Sequence, residues 1–236
     1  MNTAALQQIS IIIPALNEGR MIASLLNHLK QNSSQKNILE VLVVDGGSSD
    51  NTVQKAHAHG ATVIASKRGR AIQMNQGAKK AQGSILYFLH ADTLPPKNFD
   101  QKIMEAVAQG YQSGCFRMQF DSKNPFLRFF AYLSRINHTL CRGGDQSLFV
   151  TTAVFEAEKG FNEAYFIYED SEFIRRLYKT TKFKVLDGAV ITSARKYREK
   201  GWLKVQFHFA MIHLKYHLGT TPEELYSYYK KRLLTK

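Results

Sequence analysis

The strongest constraint on how this chain folds is a rhythm in its first half. Four short apolar runs, at 9–13, 39–44, 61–65 and 84–89, alternate with four segments of helical spacing, at 18–30, 52–59, 70–82 and 98–109. A strand with one wet face alternates apolar and polar side chains, whereas a strand covered on both faces is apolar throughout. Such runs, alternating with amphipathic helices, predict an α/β fold: a mostly parallel central sheet with helices on both faces. In sheets of this kind ligands lie beyond the carboxyl ends of the strands. Three of those ends carry polar groups: PALNE after the first run, which Pro14 is expected to end, DGGSSD after the second and HADT after the fourth.

The tip residues have readable chemistry. Asp45 ends the second run, where a carboxylate can accept from a nucleobase N–H or a ribose hydroxyl, and Gly46-Gly47 permit close backbone approach. Asp50 reads as the N-cap of the following helix. The glycines follow the second strand and lack the G-x-G-x-x-G spacing, so the motif is not a dinucleotide fingerprint. The fourth run delivers His90-Ala91-Asp92 to the sheet edge, and Pro95-Pro96 prevent the strand from continuing.

Charge narrows the partners. The chain has 32 Lys+Arg against 19 Asp+Glu, a net +13, which suits an anionic partner: a phosphate-bearing small molecule, nucleic acid or an anionic membrane. No RNA-binding strand signature or zinc module supports nucleic acid. Cys115 and Cys141 match no metal spacing and read as reduced thiols. No stretch is apolar enough to span a bilayer, and MNTAALQQIS lacks the pattern of a secretory leader. The expectation is a cytoplasmic protein.

The stretches SIIIPALNE, VLVVDGGSSDNT, GRAIQMNQGAKKAQGSILYFLHADT and YEDSEF occur in the order seen in family-two glycosyltransferases of the GT-A fold. Over roughly residues 9–195 the chain resembles that family, in particular a small bacterial branch with HADT and GDQ motifs. Each motif is weak alone, and their order and spacing carry the likeness. The resemblance implies a single domain over 1–236. A nucleotide-sugar half would cover about 9–110, an acceptor and catalytic half about 111–198, and C-terminal helices about 199–236.

It also implies roles. Asp92 stands where the last aspartate of an Asp-x-Asp motif ligates Mg²⁺ or Mn²⁺ on the donor diphosphate, although DTLPP also reads as a turn. His90 replaces the first aspartate, so the carboxylate contact to ribose would fall to an imidazole. Pro14, Ala15 and Ala91 would line the nucleotide pocket, with Pro14 and Ala15 offering backbone to the base and Glu18 near the ribose. Glu18 also reads as an acid at a helix N-terminus. Lys67, Arg68 and Arg70 precede or open a helix whose dipole disfavours cations, which points to an anion nearby, and relatives' basic role there would pass to Arg70.

In the second half, Asp170 of the pair Glu169-Asp170 would be the general base that deprotonates the acceptor hydroxyl in an inverting displacement. Two acids complementing a helix N-terminus is the plain alternative for this pair. Asp145 and Gln146 of CRGGDQ would hold sugar hydroxyls, although the stretch also reads as a plain turn, and Arg195 would reach the diphosphate on closure. The donor would be a nucleoside-diphosphate sugar and the acceptor a sugar, lipid or other small molecule. A nucleotidyltransferase uses a similar sheet, but PALNEGR lacks its glycine-rich basic loop. The aromatic and basic C-terminus, from Trp202 on, reads as a helix that covers the core, joins a partner subunit or lies on an anionic membrane. Thr221-Pro222-Glu223-Glu224 marks the start of a further helix.

Overall fold

A computed structural model describes residues 7–234. Its first half follows the predicted rhythm: β1 (Ile9–Ala15), α1 (Ile22–Asn32), β2 (Ile38–Asp45), α2 (Thr52–Ala58), β3 (Thr62–Ala65), α3 (Arg70–Lys80), β4 (Ile85–Phe88), β5 (Thr93–Leu94) and α4 (Phe99–Ala108). The second half adds β6 (Ser113–Phe120), α5 (Pro125–Leu133), β7 (Leu148–Thr151), α6 (Thr152–Ala157), α7 (Glu169–Thr180) and β8 (Phe183–Thr192). It ends with α8 (Arg195–Lys200), α9 (Trp202–His217) and α10 (Pro222–Tyr229). One eight-stranded sheet of order β3-β2-β1-β4-β7-β6-β8-β5 runs through both halves. The four strands β3-β2-β1-β4 are parallel, and β7 joins β4 antiparallel. The carboxyl ends of β1, β2 and β4 therefore share one edge.

The apolar runs are continuous because both sheet faces are buried. Ile9, Ile11 and Ile13 of β1 pack on one face with Leu25 of α1, Ala56 of α2 and Phe99 of α4. Ile12, Val44 and Phe88 pack on the other with Met74 of α3 and Phe173 and Leu177 of α7.

Three local expectations change. Pro14 does not end its strand, because β1 continues to Ala15 opposite β2. On the β4 side the last bond runs from Leu89 N–H to the Ile12 carbonyl. Pro14, two residues on, faces the same side beyond that pairing, where no donor is needed.

The first helix begins at Ile22 rather than at 18. Asn17 is left-handed (φ 56°), and the next residues form a turn held from outside. Asp50 supplies part of that hold: its carboxylate accepts from the Gly19 N–H at 3.0 Å and from the Thr52 N–H at 3.0 Å. It ties the β1–α1 loop to the first N–H of α2 from the position before the N-cap, which is Asn51. By contrast, α10 starts where the sequence placed a helix start, and Thr221 and Glu224 form a capping box there. Cys115 and Cys141 are free thiols.

Helix α3 lies close on the sheet at Gly77. A Cβ there would sit 2.5 Å from Ile12 Cγ2 and 2.9 Å from Val44 Cγ2. Helix propensity alone would favour alanine by about 1 kcal/mol. Overpacking against two immovable β-branched side chains outweighs it, and Gly77→Ala should destabilise the fold by about 1–3 kcal/mol. Chemical denaturation of the two proteins checks the sign; a more stable variant would mean that α3 can lift off the sheet freely.

Candidate active site

The polar strand tips converge as the parallel edge requires. Asp45, at the end of β2, is nearly buried, and its Oδ2 accepts from the Gly47 and Ser48 N–H groups at 3.0 Å each. Its Oδ1 is buried without a partner among the described residues. An acceptor left bare costs about 1–3 kcal/mol unless a ligand donor meets it. Pro14 and Ala15 are themselves buried in the strand. The Ala15 carbonyl is already taken by the Gly46 N–H at 2.9 Å and the Gln73 side-chain amide at 2.8 Å. That carbonyl is not the exposed backbone that the sequence suggested.

Glu18, in the β1–α1 turn, faces Arg195 of α8 at 3.7 Å. Partial burial raises its pKa; Arg195 opposes this and Asp92 adds to it. Asp92 is therefore close to Glu18, and its half-buried carboxylate has no hydrogen bond or salt bridge among the described residues. Ala91 beside it is buried.

The second cluster joins the two halves of the chain. His90 is buried at the end of the β4 segment, with Nε2 at 3.6 Å from Asp170 Oδ2 and Nδ1 at 3.8 Å from Asp145 Oδ1. Burial and the Arg70 charge pull its pKa down, but Asp170 and Asp145 overcome them and it ends raised. Arg70 opens α3, and its guanidinium lies 3.9 Å from Glu169 Oε1. The anion that explains a cation in the first turn of α3 thus includes a carboxylate of this same chain.

Glu169 is only 1% exposed and Asp170 is also buried. Both carboxylates are therefore drawn out of water while they remain in the first turn of α7. Burial pushes the Glu169 pKa up to about 7, with the Asp170 charge adding to it and Arg70 opposing.

Several supports of this site escaped the sequence reading. Gln73, inside α3, donates to the carbonyls of Ala15 and Val44 at 2.8 Å each and so ties the tips of β1 and β2 together. Asn75 pins the segment before α7 through Phe161, accepting from its N–H and donating to its carbonyl at 2.9 Å each. The glycine of GGDQ that matters is Gly144, where a Cβ would fall 1.9 Å from Asp170 Oδ2. It leaves room for a side chain of this protein rather than only for a ligand.

Gln146 is turned inward. Its Oε1 accepts from Arg142 at 2.5 Å, and its amide donates to the Cys141 carbonyl at 2.7 Å. It braces the turn and leaves Asp145, half-exposed, as the group that faces the cleft. Tyr168 precedes the acid pair in a left-handed conformation (φ 70°). Its hydroxyl bonds His213 and its ring packs on Tyr216 at 4.5 Å, both on α9. A bulky residue stays in that region only when its surroundings fix it. The sequence signals existed, in Gln73, Asn75 and Gly144 as polar or small residues at odd places, but their partners are remote.

The described residues contain no cluster of three His, Cys, Asp or Glu side chains that could hold a metal by themselves. A partnerless carboxylate at Asp92 still fits an oxygen-liganded divalent cation that shares its coordination with phosphates. Mg²⁺ in such sites takes one or two carboxylates, substrate oxygens and water.

The sequence model described as Glycosyl transferase family 2 matches residues 10–160, and the chain belongs to that family. Its fold is that of the GT-A glycosyltransferases. The mannosyltransferase PcManGT of Pyrobaculum calidifontis, solved with GDP-Man and Mn²⁺, superimposes with a TM-score of 0.68 and 16% identity. That match covers 89% of this chain and 63% of the other. TarS of S. aureus with bound UDP gives 0.63 and 20%, covering 79% and 60%. Glycosyltransferase AglE of Haloferax volcanii is 29% identical over 113 residues, 45% of this chain and 37% of its own length. The chain spans 26–37% of the length of the curated relatives it matches.

The buried glutamate gives a test of this geometry that needs no ligand. Its native pKa of about 7 lies above the usual 4.5, so the native state holds this proton more tightly than the unfolded state. Both states carry it at low pH, and native stability falls as pH rises from about 4.5 to about 7, by up to about 3 kcal/mol. Glu169→Gln cannot ionise. Its melting temperature relative to the parent should therefore climb between about pH 5 and about pH 8. A difference that stays flat with pH would contradict the burial of Glu169 as a charge.

Proposed function

We propose that the chain transfers a glycosyl group from a nucleoside-diphosphate sugar to an acceptor hydroxyl, with inversion at the anomeric carbon. The observation that carries this reading is the 3.6 Å approach of Asp170 to His90. It sets a buried carboxylate from the second half directly on the strand-tip motif of the first. Family membership supports glycosyl transfer over the nucleotidyltransferase and nucleic-acid readings. The GDP-Man and UDP held by the two solved structures support a nucleoside-diphosphate donor.

The bare Oδ1 of Asp45 would accept from the base or ribose. Arg70 would share its charge between Glu169 and the donor phosphates, and Arg195 would turn from Glu18 to the diphosphate as the site closes. Asp92 would hold Mg²⁺ or Mn²⁺, which when bound neutralises the charge of the departing diphosphate. Asp145 would orient a sugar hydroxyl.

Asp170 would act as general base. It takes the proton of the acceptor hydroxyl while that oxygen bonds the anomeric carbon and the bond to the phosphate oxygen breaks. The nucleoside diphosphate leaves with the electron pair, and no enzyme-bound sugar forms. His90, charged or neutral, would keep Asp170 oriented, and Gly144 would leave it room. Glu169, half-protonated near neutrality, would hold Arg70 and keep a second full negative charge away from the base.

Asp92→Asn tests the donor site. Changes to groups that merely support a metal ligand cost about 10–100-fold in affinity, so loss of the ligand itself should weaken Mn²⁺-dependent nucleoside-diphosphate binding by more than about a hundredfold. Calorimetry with and without Mn²⁺ measures it. Undiminished metal-dependent binding would remove Asp92 from the donor site.

A further inference from the structure

Helix α9 is apolar on two sides, and the chain covers one of them. Val205 and Ile212 are buried, while Phe209 and Tyr216 on the same side are partly covered. On the opposite side Leu203, Phe207, Leu214 and Leu218 are 62%, 60%, 50% and 75% exposed. With exposed Ala210, these positions follow i, i+4, i+7, i+11 and i+15, so they form one stripe along the full length of the helix. A water-facing helix is expected to be polar on that side.

The stripe does not stand alone. At its head Trp202 packs on Phe126 of α5 at 4.3 Å, and α5 exposes Phe129 and Tyr132.

Charge selects the occupant. From Arg195 onward the sequence has ten lysines and arginines against three glutamates, more than half of the chain's net +13. Lys204 and Lys215 border the stripe on α9 itself. Two copies meeting through α9 would bring these like charges together, which is unfavourable. One row of five side chains also falls short of the roughly 800 Å² per partner that a stable protein interface buries. An anionic bilayer meets both features, since it accepts apolar and aromatic side chains at the headgroup boundary and attracts the flanking lysines.

No described helix is long and apolar enough to cross a membrane, so α9 would lie along the surface. We propose that the outer stripe of α9 docks the protein on an anionic phospholipid surface. Its inner side meanwhile holds Tyr168, the residue before the acid pair, through His213 and Tyr216. Docking would thus set the cleft close to the bilayer. The proposal concerns binding, and it stands or falls independently of the transfer reaction.

The chain has a built-in reporter, because Trp202 is its single tryptophan. The full chain is mixed with phosphatidylglycerol/phosphatidylcholine vesicles or with phosphatidylcholine alone, and Trp202 emission and co-sedimentation are read. A blue shift and co-sedimentation are expected only with the anionic vesicles, weakening as salt screens the charges. Phe207→Ser with Leu214→Ser should lower partitioning by at least about tenfold, with an unchanged melting temperature, because both positions face water. Lys204→Glu, which removes no apolar contact, should weaken anionic binding on its own. No binding to the anionic vesicles, or equal binding by the double variant, would overturn the proposal. So would light scattering that shows a dimer which the double variant splits, since the stripe would then be an interface between copies.

Discussion

Two neighbouring carboxylates drawn out of water, Glu169 and Asp170, set the demands that the rest of the site meets. Adjacent buried negative charges cannot both be carried without help, because desolvation and mutual repulsion each favour a proton. The help comes from three separate segments. Arg70 reaches Glu169 from the first turn of α3, His90 reaches Asp170 from the end of β4, and Gly144 leaves the space that Asp170 occupies. The helix dipole at the start of α7 adds to this, being worth at most about 2 kcal/mol in a partly buried setting. The Glu169 pKa is pushed up to about 7, chiefly by burial and then by the Asp170 charge.

The sheet serves that cluster. Parallel pairing of β2, β1 and β4 brings three tips to one edge, and the antiparallel pairing of β4 with β7 attaches the second half directly to it. The GGDQ turn runs straight into β7, so the strand that joins the two halves of the sheet also delivers Gly144 and Asp145 to His90. Gln73 ties the β1 and β2 tips together with two hydrogen bonds donated by its side-chain amide. On the far side α9 pins the strained Tyr168 and so fixes where α7 begins. None of these contacts is local in sequence.

That distribution explains what could be read from the sequence. The parallel half was legible because burial on both faces writes an unbroken apolar run, as at residues 11–15, and because amphipathic helices separate the runs. Asp45, His90 and Asp92 stood out as polar residues where such runs end. Pro14 misled because strand-breaking depends on which side of the strand lacks a partner. Asp50 was legible in part: it meets the first N–H of α2, but its bond to the β1–α1 loop comes from a remote segment. The burial of Glu169 was illegible: acids in the first turn of a helix are ordinary on a surface, and what covers these comes from α3, β4 and the GGDQ turn. Gln146 could be read as a sugar ligand or as part of a plain turn, and it braces the turn, with Arg142 four residues earlier on its oxygen.

The central claim is that Asp170, and not the adjacent Glu169, removes the acceptor proton. The direct measurement is single-turnover glycosyl transfer by Asp170→Asn and Glu169→Gln, beside donor affinity by calorimetry. Asparagine keeps the shape of the side chain and loses the proton sink. Transfer by Asp170→Asn should therefore fall by about two to four orders of magnitude with donor affinity little changed, and Glu169→Gln should lose less. Near-parental transfer by Asp170→Asn, or a larger loss in Glu169→Gln, would contradict the assignment and move the base to the neighbouring carboxylate.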